Sequence, residues 1–277
     1  MKWTIVTDSS CDIDFSALRT DTIEFARVPF VINISNTDYV DDENLDVNGM
    51  IAAMESSAEI CRTACPAPGV WFDLFEDADQ VIAITISSKL SGSYNSANTA
   101  KEMILEDYPD KKIKIVDSKS AGPALAMFVE EAIDLINTGK DFEEVSAAMD
   151  KAVKRTNTVF ALSSYKNLIK NGRVGKVAGF IAGKLGIWGI GVANDGEIDV
   201  KSKSLSVKGA IEHIIQDMKD NGFSGGQVFI THCQNLEVAE KLQECISELW
   251  GMAKVKLINA GGLCGFYAER KGLIIAY

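Results

Sequence analysis

The residues best suited to chemistry stand in a turn between a predicted strand and a predicted helix. The stretch from Val81 to Ala97 begins with a short apolar run and continues through five serines and a glycine, SSKLSGSYNS, of which Ser87 is the first. At such a junction the first backbone N–H groups of the helix lack partners and favour an anion, and ligands bind at this edge of open α/β sheets. The alternative is an ordinary helix cap, because serine is a preferred N-cap residue.

Further positions could join an anion site. The prolines of TACPAPG, residues 63–69, fix a loop that presents the Thr63 hydroxyl. The turn KNGRVGK, residues 170–176, gathers three basic residues in an acidic chain, Arg173 among them; the alternative is a helix end with solvated charges. His232 ends a predicted strand, where a functional residue would lie, although a structural histidine is the more frequent case there.

Common catalytic signatures are missing from the sequence. It contains no G-x-G-x-x-G after a strand, no P-loop and no G-x-S-x-G elbow. Cys61 and Cys65 are four residues apart, but no second Cys or His cluster completes a zinc site, so no metal is predicted. Neutral donors at strand ends, together with the glycine-rich stretch after Ile258, therefore indicate a site that holds an anion rather than one that breaks bonds.

The secondary structure predicted to position these residues differs between the first and second halves of the chain. In the first half, predicted strands at 2–7, 27–34, 81–86 and 112–116 alternate with predicted helices at 46–54, 69–75, 91–107, 122–137 and 142–155. This alternation predicts a parallel sheet with crossover helices. The second half has a predicted hairpin, 186–193 with 197–203, further strands at 159–162, 227–231, 254–258 and 272–277, and helices at 165–169, 206–221 and 235–250. The stretch 259–265 is predicted as a loop.

Composition narrows the class of protein. The chain has 277 residues, 47% hydrophobic and 24% charged, which is typical of a globular protein with a sizeable core. Its net charge of −11 argues against nucleic acid or an anionic membrane surface as a partner. Neither a signal peptide nor a membrane span is predicted, and the six scattered cysteines suit reduced thiols. We therefore expect a cytoplasmic protein.

Several short motifs follow one another along the chain: TDSS at 7–10, T-x-x-P-x-P at 63–68, I-S-S-x-L-S-G-S-Y-x-S-A at 86–97, V-D-S at 116–118, and K-x-G-R-x-G-K at 170–176. In this order they resemble the motifs of the DegV family of bacterial fatty-acid-binding proteins. Each motif is short, but their order and spacing are together fairly specific. The resemblance covers essentially the whole chain.

The resemblance implies an α/β fold of two domains, residues 1–156 with a parallel sheet and residues 157–277 with a mixed sheet, and one long-chain fatty acid between them. It implies that Thr63 and Ser91 hold the lipid carboxylate, with Gly92 and Ser93 in the same turn. It also implies a non-catalytic carrier without a cofactor that presents the acid to a fatty acid kinase for phospholipid synthesis, and Arg173 on the kinase-facing surface.

The sequence departs from the family pattern in its hydroxyl and histidine positions. Ala64 stands where the family loop usually has serine, and the turn reads S-G-S-Y where S-G-T-Y is commoner. Trp188 and Gly189 stand where Lys-Pro is common. Asn259 stands near the place of a family histidine that helps hold the carboxylate, and it can donate a hydrogen bond but cannot carry a positive charge.

Two other functions stay open at this stage. One is a phosphotransfer or acyl-transfer enzyme that uses His232 or Cys264, which rests on fold analogy alone. The other is a binding module for a different amphipathic anion.

Overall fold

The computed structural model describes residues 2–14, 18, 22–174 and 187–277. The strands of its first half are β1 (Trp3–Asp8), β2 (Ile23–Val28), β3 (Val31–Ile34), β4 (Thr37–Val40), β5 (Arg62–Ala64), β6 (Gln80–Thr85) and β7 (Lys112–Asp117). The helices of that half are α1 (Val47–Ser56), α2 (Pro68–Glu76), α3 (Ser93–Asp107), α4 (Pro123–Asn137) and α5 (Phe142–Arg155).

The second half contains β8 (Thr158–Leu162), α6 (Lys166–Lys170), β9 (Trp188–Asn194), β10 (Glu197–Ser204), α7 (Val207–Asp220), β11 (Gln227–His232), α8 (Leu236–Leu249), β12 (Lys254–Asn259), α9 (Gly262–Ala268) and β13 (Leu273–Ala276). Most predicted elements are present within a few residues of their predicted bounds.

The N-terminal half is built on a four-stranded parallel sheet in the order β2-β1-β6-β7. Every residue of β1 and β6 is buried, as expected for central strands covered on both faces. Helices α4 and α5 pack on one face around Trp3 and Phe142, whose rings stack 6.0 Å apart. Helices α2 and α3 cover the other face around Trp71 and Phe75. The crossovers place the carboxyl ends of β1 and β6 side by side.

The predicted strand at 27–34 is wrong as a single element. It is two strands, because Pro29 has no N–H to donate and the chain turns there from β2 in the parallel sheet to β3. Strand β3 joins a separate antiparallel sheet in the order β4-β3-β5, in which Ile32 pairs with Thr63. Thr63 is therefore held in a short strand, where the sequence had predicted a loop.

The C-terminal half is a six-stranded mixed sheet in the order β10-β9-β8-β13-β11-β12. Among the described strands of this sheet, β11 and β12 pair in parallel and the other neighbours pair antiparallel. Helices α7 and α8 pack on one face, and α6 and α9 lie against the other. The predicted pairing of a parallel N-terminal sheet with a mixed C-terminal sheet is confirmed.

The two halves share apolar packing. Phe229 and Ala276, from the mixed sheet, belong to the same buried cluster as Trp3 and the helices of the parallel sheet. The predicted division after residue 156 falls between α5 and β8 and stays a prediction.

The stretch 259–265 is not the loop that the sequence predicted. Helix α9 begins at Gly262, and all but one of its residues are buried. Its glycines fit close packing: a Cβ on Gly262 would lie 2.4 Å from an Asp41 carboxylate oxygen. The stretch 259–265 has three glycines among its seven residues and therefore a low intrinsic helix propensity, so tertiary contacts decide that a helix begins there.

Candidate functional site

A cavity lies where the two halves meet. It contains about 820 Å³ of space between protein atoms, a figure that includes its open mouth. Most of its wall is apolar: Phe30, Ile86, Leu90, Ala121, Phe160, Leu162, Leu168, Ala193, Ile198, Leu263, Ala268 and Ile274. Both halves contribute to this wall, so the cavity depends on their packing against each other.

One group of polar side chains in the cavity wall centres on Thr63. The Thr63 hydroxyl lies 2.8 Å from the Tyr267 hydroxyl, and either can be the donor. Ser91 and Arg173 belong to the same wall. The structure therefore brings three of the predicted site residues, Thr63, Ser91 and Arg173, to one cavity. Tyr267 was missed from the sequence, because its helix was predicted as a loop that stopped before it.

Ser91 lies in the turn between β6 and α3. Helix α3 begins at Ser93 with Gly92 as its N-cap residue, so the predicted helix start at Ser91 is two residues early. The Ser91 hydroxyl accepts a hydrogen bond from the Ser93 N–H at 3.2 Å. A Cβ on Gly92 would lie 3.2 Å from the Cys65 sulfur, so glycine lets this turn approach the proline loop closely.

Ser93 is buried beside Asp8 and does not line the cavity. Its hydroxyl donates to Asp8 at 2.6 Å, and the same carboxylate accepts from the Ile86 N–H at 2.9 Å and the Ser10 hydroxyl at 2.5 Å. Burial raises the pKa of Asp8, and the hydrogen bonds from Ser10, Ser93 and Ile86 oppose that rise. Ser93 thus anchors the turn that carries Ser91.

Arg173 is half-buried in the cavity wall rather than free on a surface. Its Nε donates to the Leu90 carbonyl at 3.1 Å, next to Ser91. Its guanidinium carbon lies 6.0 Å from the centre of the Tyr267 ring, at the outer limit of cation–π attraction. Gly175 and Lys176 of the predicted basic turn lie outside the described residues.

Two buried carboxylates of the N-terminal half hold helix α9. Asp41 accepts from the Gly262 and Leu263 N–H groups, each at 2.8 Å. Asp12 accepts from the Gly261 N–H at 2.8 Å and the Thr231 hydroxyl at 2.9 Å. Burial raises the pKa of Asp12 to about 6 and also raises that of Asp41. Nothing in the sequence pairs these aspartates with a glycine-rich stretch more than 200 residues away.

Asn259 does not line this cavity, although the resemblance placed it near a family histidine that helps hold the carboxylate. It is exposed at the end of β12, an edge strand, and lines a separate hollow with Asp12 and Arg27. The chain turns into α9 only after Asn259, so the helix, not Asn259, carries side chains to the cavity. The sequence could not show this because α9 was not predicted.

His232 and Cys264 do not form a nucleophile–base arrangement. His232 is absent from the cavity wall, and its Nδ1 accepts a 3.4 Å bond from the Asn235 N–H at the start of α8. Desolvation lowers its pKa. The Cys264 sulfur does line the cavity, but it donates to the Ser10 carbonyl at 3.3 Å, and burial raises the pKa of this thiol well above its ordinary value. A neutral buried thiol is a poor nucleophile.

In the part of the chain that the structure describes, no three His, Cys, Asp or Glu side chains gather as metal ligands would. Within the same residues, every helix is too short or too polar to cross a membrane.

The fold and the site together define an α/β binding protein with an apolar cavity that has a polar group of side chains in its wall. The chain belongs to the DegV family: the model described as "Uncharacterised protein, DegV family" matches residues 2–277. A DegV domain-containing protein of Streptococcus pyogenes is 37% identical over 278 residues, which cover all of this chain and 99% of the relative.

Solved structures of family members have the same fold. The fatty acid kinase (Fak) B3 protein of Streptococcus pneumoniae, loaded with linoleic acid, is 36% identical with a TM-score of 0.96, covering 100% of this chain and 99% of its own. A DegV family protein of Eubacterium eligens, loaded with heptadecanoic acid, is 35% identical with a TM-score of 0.93, covering 99% and 98%. The resemblance predicted from short motifs is therefore confirmed.

Proposed function

We propose that this protein binds one long-chain fatty acid in the cavity, with the carboxylate at Thr63 and Ser91 and the acyl chain along the apolar wall. The observation that carries the proposal is the joining of hydroxyls to an apolar cavity at the meeting of the two halves. The fatty acids bound by the Streptococcus pneumoniae and Eubacterium eligens relatives support it.

The energetics favour a fatty acid over a wholly apolar or a wholly polar ligand. Burial yields roughly 0.8 kcal/mol per CH₂, so ten methylenes give about 8 kcal/mol before the costs of binding. A carboxylate removed from water needs donors, and hydroxyl groups give it short charge-assisted bonds. Gly92 and Ser93 shape the turn that carries Ser91. Asn259 has no part in this proposed site, because it lines a different hollow.

We further propose that the bound acid is presented to a fatty acid kinase, which transfers a phosphoryl group to the carboxylate. The name of the Streptococcus pneumoniae relative, a fatty acid kinase B3 protein, supports this partner. In this proposal the chain itself performs no chemistry and needs no cofactor. Arg173 stays the predicted kinase-facing residue, although its bond to Leu90 gives it a structural role as well.

Native mass spectrometry of the purified protein tests the binding proposal. We expect a stoichiometric adduct that is released on denaturation and identified as a long-chain fatty acid. Thr63→Ala and Ser91→Ala are expected to retain less acid, whereas Thr99→Ala, an exposed threonine on α3, retains as much as the wild type. A protein that is empty and binds no acid on re-addition, or that carries another amphipathic anion, contradicts the proposal.

A reconstituted assay with a fatty acid kinase tests the presentation step. Arg173→Ala is expected to lower acyl-phosphate formation by more than it lowers the amount of bound acid, since Arg173 also lines the cavity, and Lys170→Ala, on the same turn and exposed, is the matched control. A loss of acyl phosphate that only follows the loss of bound acid would assign Arg173 to binding alone. Unchanged acyl-phosphate formation would remove it from the kinase-facing surface.

A further inference from the structure

Helix α9 delivers one more hydroxyl to the group around Thr63. Tyr267 is half-buried on the cavity side of this helix, and its ring packs edge-on against Phe266 with centroids 4.8 Å apart. The start of α9 is fixed by the Asp41 and Asp12 carboxylates. The Tyr267 hydroxyl is therefore positioned by a helix anchored across the two halves.

The hydrogen-bond capacity of this group exceeds what its own members use. The Thr63 and Tyr267 hydroxyls, 2.8 Å apart, each carry one hydrogen, and a bond between them uses only one of the two. An oxygen of a carboxylate can accept from both hydroxyls at once when it replaces the bond between them. Burial raises the pKa of Tyr267, so its phenol is protonated at neutral pH and able to donate.

Arg173 contacts both the turn that carries Ser91 and the helix that carries Tyr267. Its Nε donates to the Leu90 carbonyl, directly before Ser91, and its guanidinium lies over the Tyr267 ring. The permanent positive charge of the guanidinium favours an anion in the space beside that ring. One space in the cavity is therefore bordered by Ser91, Thr63 and Tyr267. The positively charged guanidinium of Arg173 lies next to this space.

We propose that Tyr267 is a direct ligand of the head group and donates a hydrogen bond, together with Thr63, to the carboxylate of the bound acid. This inference rests on the proposed fatty-acid binding and adds to it a residue of the C-terminal half. It makes Tyr267 a determinant of specificity for an acid over the uncharged alcohol of the same chain length.

The test compares a saturated long-chain acid with the matching fatty alcohol, because both bury the same acyl chain. Removal of a hydrogen bond to a charged group costs about tenfold to a hundredfold in affinity, and removal of a bond to a neutral group costs less. Tyr267→Phe is therefore expected to lower acid affinity about tenfold or more, and to lower the acid-to-alcohol ratio. Tyr39→Phe removes a hydroxyl beside the same apolar cluster but outside the cavity, and should change neither.

The acid-to-alcohol affinity ratio distinguishes a residue that binds the head group from one that only supports the cavity, because damage to the cavity would weaken the binding of acid and alcohol alike. A Tyr267→Phe ratio equal to that of the wild type, while Thr63→Ala lowers it, overturns the assignment and leaves the proposed function intact. A wild-type protein that binds neither molecule contradicts both.

A second measurement uses the wild-type protein alone, so its outcome does not depend on whether a variant folds. Adding the acid to the wild-type protein should red-shift a tyrosine band in the ultraviolet difference spectrum, because the phenol donates to an anion, and adding the alcohol should not. The same spectrum for both ligands would also overturn the assignment.

Discussion

The two sides of the polar group are held by buried aspartates in different ways. On one side, Asp8 binds Ser10, Ile86 and Ser93, all in its own half of the molecule. On the other side, Asp12 and Asp41 reach across to the backbone of residues 261–263. The first network shapes a turn within one sheet edge, whereas the second joins the two halves. Loss of the first should damage the N-terminal half itself, and loss of the second should damage the junction.

The largest effect is expected from Asp8→Ala. This change leaves four donors without their buried acceptor, the Ile86 and Ser10 N–H groups and the Ser10 and Ser93 hydroxyls. We expect a loss of about 3–5 kcal/mol in the free energy of unfolding, measured by urea denaturation. Asp110→Ala, at an exposed turn, should stay within about 0.5 kcal/mol of the wild type. A loss below about 1 kcal/mol for Asp8→Ala would show that the network contributes little.

A smaller effect is expected from Asp41→Asn. The amide oxygen can still accept one of the two α9 N–H groups, but the NH₂ group faces the other without accepting from it. We expect a loss of about 1–3 kcal/mol in the free energy of unfolding, and faster release of a bound acid, since α9 carries Tyr267. Hydrogen exchange of the α9 amides measures the local effect directly. Unchanged exchange in α9 would contradict the anchoring role of Asp41.

Asp12→Asn should change the pH dependence of stability more than stability itself. The folded pKa of Asp12, about 6, lies above the unfolded value, so the folded state binds more protons between about pH 4 and 6. The Asp12 contribution therefore stabilises the fold as pH falls through 6 and is lost as pH rises. Asp12→Asn should flatten this part of the curve in urea titrations from pH 4 to 7. A variant that keeps the wild-type slope would show that other groups, such as Asp8 or Asp41, produce it.

The smallest effects are expected at the tip of the β9–β10 hairpin, which also joins the halves. The Ser87 hydroxyl donates to the Gly196 carbonyl at 2.7 Å, and Lys119 pairs with Asp195 at the surface. Ser87→Ala should lower the free energy of unfolding by about 1 kcal/mol, because a buried hydrogen bond is lost. Lys119→Ala should cause no measurable change in unfolding, because exposed ion pairs contribute little. A larger loss from Lys119→Ala than from Ser87→Ala would reverse this order.

The N-terminal side of the site could be predicted from sequence because its signal is local. The apolar run of β6, the serines after it and the start of α3 follow one another within 20 residues, and parallel-sheet topology places them at a ligand-binding edge. Thr63 was predicted as well, although a strand rather than the proline loop fixes it. The buried role of Ser93 was not visible, since its partner Asp8 lies 85 residues away.

The C-terminal side could not be predicted in the same way. Helix α9 has glycine at two of its seven positions and as its N-cap residue, and its start is held by aspartates 221 and 249 residues away. A glycine-rich stretch with no local helix signal reads as a loop, and the resemblance placed Asn259 near a family histidine that helps hold the carboxylate. Long-range contacts instead form helix α9, which brings Tyr267 into the cavity wall.

The most direct test of the account is a crystal structure with a long-chain fatty acid brominated at its terminal carbon. We expect the carboxylate within hydrogen-bond distance of the Thr63 and Tyr267 hydroxyls, and the anomalous bromine signal among the apolar wall residues of the same cavity. A carboxylate in the hollow lined by Asn259, or a bromine signal beside Thr63, would contradict it.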